Sequence, residues 1–291
     1  PRVIGRWFAA LVNGQTLSRA RRVAERHYDL DNMLYAHMLD PRMVYTCGFW
    51  RDARNLAEAQ EAKLELVCRK LGLEPGMKVL DIGCGWGSFA AYAAERHAAK
   101  VTGVTISAAQ ASLARERCAG LPVRILLQDY RQTTGRYDRI VSLGMFEHVG
   151  HKNARTYLQA ARKLLAGDGL FLLHTIGRND RGAGIDPWVT RYIFPNSEVP
   201  SMARLSRAMD RLFVLEDLHN LGADYAPTLL AWRENFEHHW PAFAGRLSAG
   251  FRRRWYYYLS LFAGVFRARG LQVWQCVLSP SGVAGGYRRP G

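Results

Sequence analysis

A short apolar strand that runs straight into a glycine-rich turn constrains this chain more than any other sequence feature. The strand is predicted at residues 77–82, and the turn lies within the string VLDIGCGWG at residues 79–87. Residues 88–97 then have the pattern of a helix. Glycine lets the backbone approach a ligand closely, and the helix N-terminus offers free amide donors to an anionic group. The turn therefore predicts a ligand site at the carboxyl end of a strand.

Strands and helices alternate along most of the chain. A helix that Asp52 caps and that runs to about Leu71 is predicted before the turn. The alternation predicts an α/β fold, with a mostly parallel sheet covered by helices on both faces. The predicted strands are residues 77–82, 100–105, 123–127, 137–143, 169–175, 213–219 and 271–278, and the other predicted helices are residues 17–28, 88–97, 107–118, 153–165, 227–240 and 251–266.

The alternation lapses at residues 177–200, which are rich in Gly, Pro, Asn and Asp but also carry aromatic residues. We interpret this stretch as an insert or lid, because linkers rarely carry so many aromatic side chains. The predicted organisation is an N-terminal helical cap at residues 1–75, a ligand-binding core at 76–176, a substrate-facing insert at 177–210, and the remainder of the sheet with further helices at 211–291.

Three kinds of ligand use turns like this one. A phosphate loop would end in Gly-Lys-Ser or Gly-Lys-Thr, which is absent. The dinucleotide fingerprint needs a third glycine three residues after the second, where this chain has Ser88. The order Asp81, Gly83, Gly85 instead looks like the first motif of class I S-adenosylmethionine (SAM) methyltransferases. A tight turn without any ligand is the remaining alternative.

The charge of the chain is strongly basic. The 40 Lys and Arg against 25 Asp and Glu give a net charge of +15. Residues 238–291 contain eight Arg and no Asp or Glu, and residues 1–26 contain six Arg and one Glu. These basic ends favour a polyanionic partner, either nucleic acid or an anionic lipid surface.

Neither a membrane span nor a cysteine framework is predicted. The longest uncharged, mostly apolar run, at residues 255–266, is shorter than the roughly 18 residues that a spanning helix needs. The five cysteines are scattered without a CxxC pair, so neither a disulfide scaffold nor a structural metal site is expected. A reducing cytoplasm fits this usage.

Eight strings along the chain are similar to motifs of one family. They are RHYDL at 26–30, VYTC at 44–47, GVTIS at 103–107, LQDYR at 127–131, GMFEHVG at 144–150, FLLHTIG at 171–177, GADY at 222–225 and FRAR at 266–269. Together they resemble the cyclopropane-fatty-acyl-phospholipid synthase family, to which mycolic acid cyclopropane synthases also belong. The resemblance runs from about Arg21 to about Leu278. It implies a Rossmann-like class I methyltransferase sheet with N-terminal helices and a helical lid.

The resemblance implies a set of contacts with SAM. Asp81 ends the first strand and is expected to orient either the glycine turn or the amino-acid end of the cofactor. Asp129 is expected to accept from the adenine amino group, although loops also collect Asp for turn reasons alone. Thr105 replaces the acidic residue that most class I methyltransferases place after the second strand, and Gln110 covers part of its role. The predicted set is Tyr45, Thr46, Asp81, Gly83, Gly85, Thr105, Gln110, Asp129 and Tyr130.

A second site implied by the resemblance holds a bicarbonate ion. Methyl transfer to an alkene leaves a carbocation, and a base must remove a proton from the new methyl group before the ring closes. A carboxylate beside the cation risks alkylation, whereas a bound carbonate is a replaceable general base. Hydrogen bonds from Tyr225, His174 and the Ile176 amide are expected to hold it. The matching positions are Cys47, Glu147, His174, Ile176 and Tyr225.

Aromatic walls would stabilise the cation, and Trp50, Tyr192 and Phe194 are the candidates. Each polar residue of this second site also has an ordinary interpretation. A histidine on a strand, such as His174, is usually a core residue, and a glutamate before a helix, such as Glu147, is often a partner of the helix dipole. The joint match at five family positions favours the bicarbonate site.

The chain departs from the family at two places. Many bacterial members carry a Cys in the helix before the FRAR string, where this chain has Phe262. Ring formation requires no thiol, so we interpret Phe262 as part of an apolar core stripe with Leu259, Ala263 and Phe266. Full-length bacterial synthases also carry a small extra domain before the matched region. We expect it to be absent here, which would weaken membrane docking or dimerisation.

The predicted enzyme is a SAM-dependent methyltransferase that converts double bonds in the unsaturated acyl chains of membrane phospholipids into cyclopropane rings. We expect it in the cytoplasm, peripheral to the inner face of an anionic membrane, and we leave a homodimer open. A related reaction would end in a methyl branch or an exocyclic methylene. A nucleic-acid methyltransferase or binding module is the alternative of another class. Its signature motifs are absent, so no nucleic-acid partner is expected.

Overall fold

The computed structural model of the chain describes residues 32–180, 186–195 and 197–291. The helix predicted at residues 17–28 and the RHYDL string at residues 26–30 lie outside these ranges. Among the helices that the ranges contain, none has both the length and the apolar character needed to cross a membrane.

Within these ranges, seven strands form one sheet. They are β1 Lys78–Ile82, β2 Lys100–Thr105, β3 Val123–Leu127, β4 Tyr137–Leu143, β5 Leu165–Gly177, β6 Val214–Asn220 and β7 Gln272–Ser279. Their spatial order is β3-β2-β1-β4-β5-β7-β6. Strands β1 to β5 pair in parallel, and β7 is antiparallel to both of its neighbours. The predicted mostly parallel α/β sheet is confirmed.

Nine α-helices accompany the sheet in the described part of the chain. They are α1 Asn32–Met38, α2 Leu56–Leu71, α3 Ser88–His97, α4 Ala108–Arg117, α5 Ala154–Leu164, α6 Pro187–Tyr192, α7 Met202–Met209, α8 Tyr225–His239 and α9 Ala249–Arg267. Helices α2 and α3 share one apolar cluster with the sheet, and α5 and α7 share another. Alternate residues of β1 enter the two clusters, with Val79 in one and Leu80 in the other, as expected for a sheet covered on both faces.

Helix α2 begins later than predicted. Its N-cap is Asn55 and not Asp52, because the Asn55 side chain accepts a hydrogen bond from the Glu58 amide at 2.9 Å. The Glu58 carboxylate in turn accepts from the Arg54 amide at 3.0 Å. The first bond satisfies a free amide group of the first turn, and the second ties the residue before the cap to the helix, so the helix starts after Asn55.

A third apolar cluster combines α1, α8 and α9 with Trp86 from the glycine turn. The stripe predicted on α9 is confirmed for Leu259, Ala263 and Phe266, which are buried. Phe262 is only partly buried at the edge of this cluster. Phe262 therefore belongs to the predicted stripe but lies at its edge, because the helix presents it toward the cluster boundary.

The glycine turn after β1 uses positive φ angles, which are 82° at Gly83, 53° at Gly85 and 80° at Gly87. A Cβ atom on Gly83 would lie 2.7 Å from Met145 Cγ, so a larger residue would clash. A Cβ atom on Gly85 would meet no heavy atom within 4 Å. The backbone of the turn is therefore packed on one side and open at Gly85.

Candidate active site

A pocket lies at the carboxyl ends of β1, β2, β3 and β4. The segment before α2, the glycine turn, the exits of these strands and the start of α4 provide its lining. All nine residues predicted to contact SAM belong to it, namely Tyr45, Thr46, Asp81, Gly83, Gly85, Thr105, Gln110, Asp129 and Tyr130. The fold brings these residues together from five separate segments, and their individual roles toward a cofactor stay predictions.

Asp81 carries a buried carboxyl group into this pocket. Its side chain is 2% exposed, and Oδ2 has no hydrogen-bond partner among the described residues. Burial raises the pKa of Asp81 to about 7, and the charge of Lys63 opposes this shift. A buried oxygen without a partner suits a cationic donor such as the ammonium group of SAM. The free space at Gly85 leaves room for a ligand to approach the backbone of the turn.

Lys63 lines the same pocket and was missed by the sequence analysis. Its side chain is fully buried, and Nζ donates to Thr46 Oγ1 at 3.1 Å. Burial lowers the pKa of Lys63 to about 8, and the Asp40 carboxyl group opposes this shift. Lys63 lies between Ala59 and Val67 at helical spacing on the buried face of α2. A charged residue within an apolar stripe was the available sequence signal.

The exit of β2 provides a second polar part of the pocket. Thr105 Oγ1 donates to Gln110 Oε1 at 3.0 Å, and both residues are buried. Ser107 caps α4 by accepting from the Gln110 amide at 3.2 Å. Because Oε1 accepts from Thr105, the Nε2 group of Gln110 is the part of the side chain that can donate to a ligand.

Asp129 is held by its neighbour Arg131. Asp129 Oδ1 accepts from the Arg131 amide at 2.9 Å and from Nε at 2.7 Å, and Oδ2 accepts from Nη2 at 2.8 Å. The first of these contacts caps the short 3-10 turn Tyr130–Gln132. The ordinary role of a turn aspartate therefore accounts for the observed contacts, and the adenine contact stays a prediction.

Glu147 lies in the 3-10 turn Phe146–His148 that follows β4. Its Oε1 accepts from the Ile176 amide at 2.6 Å, so this amide, predicted to donate to bicarbonate, is engaged by Glu147. Oε2 is buried and has no hydrogen-bond partner in the described part of the chain. Burial raises the pKa of Glu147 to about 7, although the Ile176 amide opposes this shift. A buried acid with such a pKa is typical of a functional site.

His174 precedes Ile176 by two residues on β5, so both side chains point to the same face. Its Nδ1 atom lies 3.3 Å from Gln275 Nε2 on β7. Burial lowers the pKa of His174 well below its ordinary value, and the charges of Lys63 and Lys70 act in the same direction. His174 is therefore a neutral imidazole near pH 7.

Cys47 and Tyr225 reach the same edge of the sheet from other elements. Cys47 Sγ donates to the Leu221 carbonyl at 3.5 Å, and burial raises the pKa of Cys47 well above its ordinary value. The residue therefore stays a thiol. Tyr225 begins α8 and packs its ring 4.7 Å from that of Phe266.

Backbone pairing connects these segments. Ile176 lies opposite Val273 in the β5–β7 register, and the Val273 carbonyl accepts from the Leu221 amide at 2.8 Å. The five predicted bicarbonate residues lie outside the lining of the cofactor pocket. However, Met145 and His148, which flank Glu147 closely in sequence, belong to that lining. The turn that carries Glu147 thus connects the pocket to the predicted bicarbonate residues.

The three candidate aromatic walls occupy different places. Phe194 lines the pocket, and its ring centroid lies 5.5 Å from that of Tyr258 and 6.4 Å from that of Phe262. Trp50 is partly buried outside the lining. Tyr192 lies on the surface with 46% exposure. Of the three, Phe194 borders the cofactor pocket.

The chain is similar to known proteins over most of its length. Residues 15–276 match a family model described as mycolic acid cyclopropane synthetase. The chain is 52% identical over 280 residues to the cyclopropane-fatty-acyl-phospholipid synthase of Escherichia coli (strain K12), which covers 96% of this chain and 73% of that protein. It is 34% identical over 274 residues to the cyclopropane mycolic acid synthase MmaA2 of Mycobacterium tuberculosis (strain H37Rv), covering 88% of this chain and 96% of that protein.

Solved structures agree with this relationship. The cyclopropane synthase MmaA2 from Mycobacterium tuberculosis superposes with a TM-score of 0.82 at 34% identity, covering 89% of this chain and 97% of that chain. Mycolic acid cyclopropane synthase CmaA1, complexed with SAH and CTAB, superposes with a TM-score of 0.83 at 31% identity and the same coverage. Fold, pocket and sequence thus lead to one conclusion: the chain belongs to the mycolic acid cyclopropane synthetase family of methyltransferases.

Proposed function

We propose that the protein adds a methylene group from SAM across the double bond of unsaturated acyl chains of membrane phospholipids, which forms a cyclopropane ring. One observation carries this proposal. The turn with Glu147 joins a pocket suited to a methyl donor to a second buried polar site, where Glu147 Oε2 has no partner among the described residues. The pocket suits the methyl donor, and the site at Glu147 suits a general base.

When bound, SAM supplies an electrophilic methyl group. In the proposal, Asp81 receives the ammonium group of the donor, while Tyr45 and Thr46 from the N-terminal cap close the pocket. The cation on the acyl chain is stabilised by aromatic rings such as Phe194. Residues 177–210 form the substrate-facing insert in this arrangement.

Bicarbonate is the proposed general base. Glu147 Oε2 hydrogen-bonds the ion, and a pKa of about 7 lets this carboxyl group act as donor or acceptor near neutral pH. Tyr225 and His174 would donate to the ion, and the Cys47 thiol would border it. A replaceable ion protects the protein, since a carbocation that captures a carbonate oxygen does not alkylate a side chain.

Phospholipid acyl chains are the proposed substrate. The Escherichia coli relative, whose name contains this substrate, is 52% identical, whereas the mycolic acid enzyme MmaA2 is 34% identical. The net charge of +15 supports the choice, because anionic headgroups attract basic proteins.

A surface formed by α6 and α9 supports docking on a membrane. We call it the aromatic–arginine face, and it consists of Arg191, Tyr192, Arg253, Arg254 and Tyr257. Tyr192 and Tyr257 are 46% and 51% exposed, and all three arginines are exposed. The Arg254 guanidinium lies 5.8 Å from the centre of the Tyr192 ring. Aromatic and basic residues together suit the interface of an anionic bilayer, so we propose a peripheral enzyme on the inner face of the cytoplasmic membrane.

The other side of the same helix supports acyl entry at this face. Tyr258, the neighbour of Tyr257 on α9, is buried and contacts Phe194, which borders the cofactor pocket. An acyl chain lifted from the bilayer between α6 and α9 would therefore meet apolar aromatic rings on its way to the donor.

The proposal is tested with the full chain, SAM and vesicles of mono-unsaturated phospholipid that contain anionic headgroups. Mass spectrometry should show acyl chains that gain one CH₂ and resist catalytic hydrogenation. A product that takes up hydrogen would indicate an exocyclic methylene. In a parallel assay with an added hydride donor, a product with two further hydrogens would indicate a methyl branch. Methyl transfer to duplex nucleic acid instead of lipid would contradict the proposal.

A methyl-branch product is the second candidate. A probable fatty acid methyltransferase of Pseudomonas putida is 39% identical over 255 residues, which covers 82% of this chain and 64% of that protein. A saturated methyl branch would form if the same cation took up a hydride from a reductant. Both products resist hydrogenation, so the product mass, two hydrogens above that of the cyclopropane, separates the two.

A further inference from the structure

Helix α2 carries a second buried lysine, Lys70, next to β7. Its Nζ atom lies 2.9 Å from Gln275 Oε1, 3.0 Å from His219 Nδ1 and 3.5 Å from Asp217 Oδ2. The side chain of Lys70 is fully buried. An ammonium group has only donors, so Gln275 Oε1 and His219 Nδ1 must act as acceptors, while Asp217 contributes an ion pair. Lys70 therefore fixes which end of the Gln275 amide faces it, namely the oxygen.

The orientation of the Gln275 amide determines whether His174 faces a hydrogen-bond donor or an acceptor. With the amide oxygen on Lys70, the NH₂ group faces His174, and Gln275 Nε2 lies 3.3 Å from His174 Nδ1. His174 and Gln275 are directly opposite each other in the β5–β7 register, so the contact is a cross-strand pair. An amide NH₂ group can only donate. His174 Nδ1 must accept, and the ring proton of the neutral imidazole lies on Nε2.

The same contact opposes the charged form of His174. An imidazolium carries N–H groups on both nitrogens and would direct one of them at the Gln275 NH₂ group. Burial and the two buried lysines lower the pKa of His174 in the same direction. Geometry and charge therefore select one neutral tautomer.

Two residues near the C-terminus, Tyr287 and Arg289, support the position of Lys70. Asp217 Oδ1 accepts from Arg289 Nε at 2.8 Å, and the Tyr287 hydroxyl donates to the Lys70 carbonyl at 2.9 Å. A continuous set of polar contacts thus leads from Arg289 through Asp217, Lys70 and Gln275 to His174.

We propose that Gln275 and Lys70 are positioning residues that hold His174 as the Nε2-protonated tautomer, so that it presents a donor to the anionic base. The proposal rests on the proposed function in placing that base beside His174. An N–H group stabilises an oxyanion, whereas the lone pair of the other tautomer would repel it. Neither Gln275 nor Lys70 touches the reacting atoms.

The test uses the full chain with ¹⁵N-labelled histidine, and two-bond N–H couplings in NMR spectra report which ring nitrogen carries the proton. A His174→Gln variant assigns the signal. We expect the wild-type proton on Nε2. Gln275→Glu replaces the NH₂ group by a carboxylate oxygen that only accepts, so the proton should move to Nδ1. Turnover should fall about 100-fold or more, as expected for a wrongly set histidine tautomer, while SAH affinity should stay unchanged.

Gln272→Glu is the matched control. Gln272 is another buried glutamine of β7, but it contacts Asn220 and Arg269 and not His174. We expect the wild-type tautomer and turnover in this variant. Lys70→Met provides a second test if Gln275→Glu does not fold, because an amide without the Lys70 donor can rotate and the two His174 tautomers should then mix.

Two results would overturn the proposal. One is a wild-type His174 proton on Nδ1, and the other is a Gln275→Glu variant whose proton moves while its turnover is retained. The NMR readout is independent of activity. A wild-type protein with the proton on Nε2 that forms no cyclopropane would contradict the proposed function and support the fixed tautomer.

Discussion

Burial controls the protonation of the three side chains on which the proposed chemistry depends most. The pKa values of Asp81 and Glu147 rise to about 7 because their charged forms lose hydration. The pKa of His174 falls for the same reason. Each of the two carboxyl groups can thus gain or lose a proton near neutral pH, while the histidine stays neutral. Each residue should therefore respond differently to substitution.

Glu147→Gln and Tyr225→Phe should lower turnover by about 10²–10⁴-fold, because the loss of an oriented general base has this size. SAH affinity should stay near the wild-type value, since neither residue lines the cofactor pocket. Calorimetric binding of SAH and single-turnover kinetics on vesicles measure the two effects separately. Loss of SAH affinity with unchanged chemistry per bound cofactor would contradict the assignment. Removal of bicarbonate from the buffer should reproduce part of the loss in the wild type.

Asp81→Asn should have the reverse effect, a loss of SAH affinity with little change in turnover. The variant replaces a charge-assisted hydrogen bond to the cofactor by a neutral one, so SAH should bind roughly 10- to 100-fold more weakly. Turnover at saturating SAM should stay close to the wild-type value. Asp168→Asn, at an exposed aspartate outside the pocket lining, serves as the control. Unchanged SAH affinity in Asp81→Asn would show that Asp81 does not contact the cofactor.

Glu147 should make the stability of the protein depend on pH. Its pKa is about 7 in the folded protein against an ordinary value of 4.5, so the folded state binds more protons between these values. The resulting stabilisation is complete below pH 4.5 and is lost as the pH rises through about 7, and it amounts to about 3 kcal/mol. Denaturant unfolding in bicarbonate-free buffer should show that the wild type loses this amount relative to Glu147→Gln. A difference that does not change with pH would mean that the pKa of Glu147 is the same in the folded and unfolded states.

At the scale of elements, helix α2 and helix α9 each combine a packing role with a role at the site. The buried face of α2 carries Lys63 to the cofactor pocket and Lys70 to β7. Helix α9 buries Tyr258 and Phe266 but leaves Phe262 partly exposed beside Phe194. A substitution at the edge of such a helix can therefore change both the stability of the fold and the activity.

Phe262→Cys should neither create nor greatly raise activity. A thiolate near a sulfonium methyl group or a carbocation would be alkylated, so it does not suit this chemistry. Removal of a partly buried ring should destabilise the fold by less than the about 3–5 kcal/mol that a fully buried Phe-to-Ala change costs. Thermal melting with matched kinetics measures both effects. Phe262→Leu, which also shortens the side chain but adds no thiol, is the control. A gain in turnover that thiol alkylation reverses would show that a cysteine nucleophile acts at this position.

At the scale of the whole molecule, ring contacts along α9 link the cofactor pocket to the aromatic–arginine face. The contacts between Phe194 and Tyr258 and between Trp188 and Tyr257, at 5.5 Å and 4.7 Å between ring centroids, join α9 to the segment that contains α6. In the proposed function, docking on a membrane and access to the pocket would therefore involve the same pair of helices.

The double substitution Arg253→Gln and Arg254→Gln should weaken binding to anionic vesicles. Each arginine near such a surface contributes about 1 kcal/mol, so the partition coefficient should fall roughly 30-fold. The control removes two exposed arginines elsewhere, with Arg96→Gln on α3 and Arg124→Gln on β3. Vesicle sedimentation at fixed salt measures the difference. An equal loss in both double variants would show that net charge, and not this face, determines binding.

Local sequence patterns were sufficient to predict much of the fold and the position of the pocket. Apolar periodicity and glycine positions predicted every strand of the sheet and the pocket after β1, because such patterns arise from neighbouring residues. Only the tertiary structure decided the antiparallel direction of β7, the partial exposure of Phe262 and the polar partners of His174. Gln275 is 101 residues from His174 and 205 residues from Lys70 along the chain. No local propensity encodes such contacts, since they depend on which strands become neighbours and which side chains burial leaves in need of a hydrogen-bond partner.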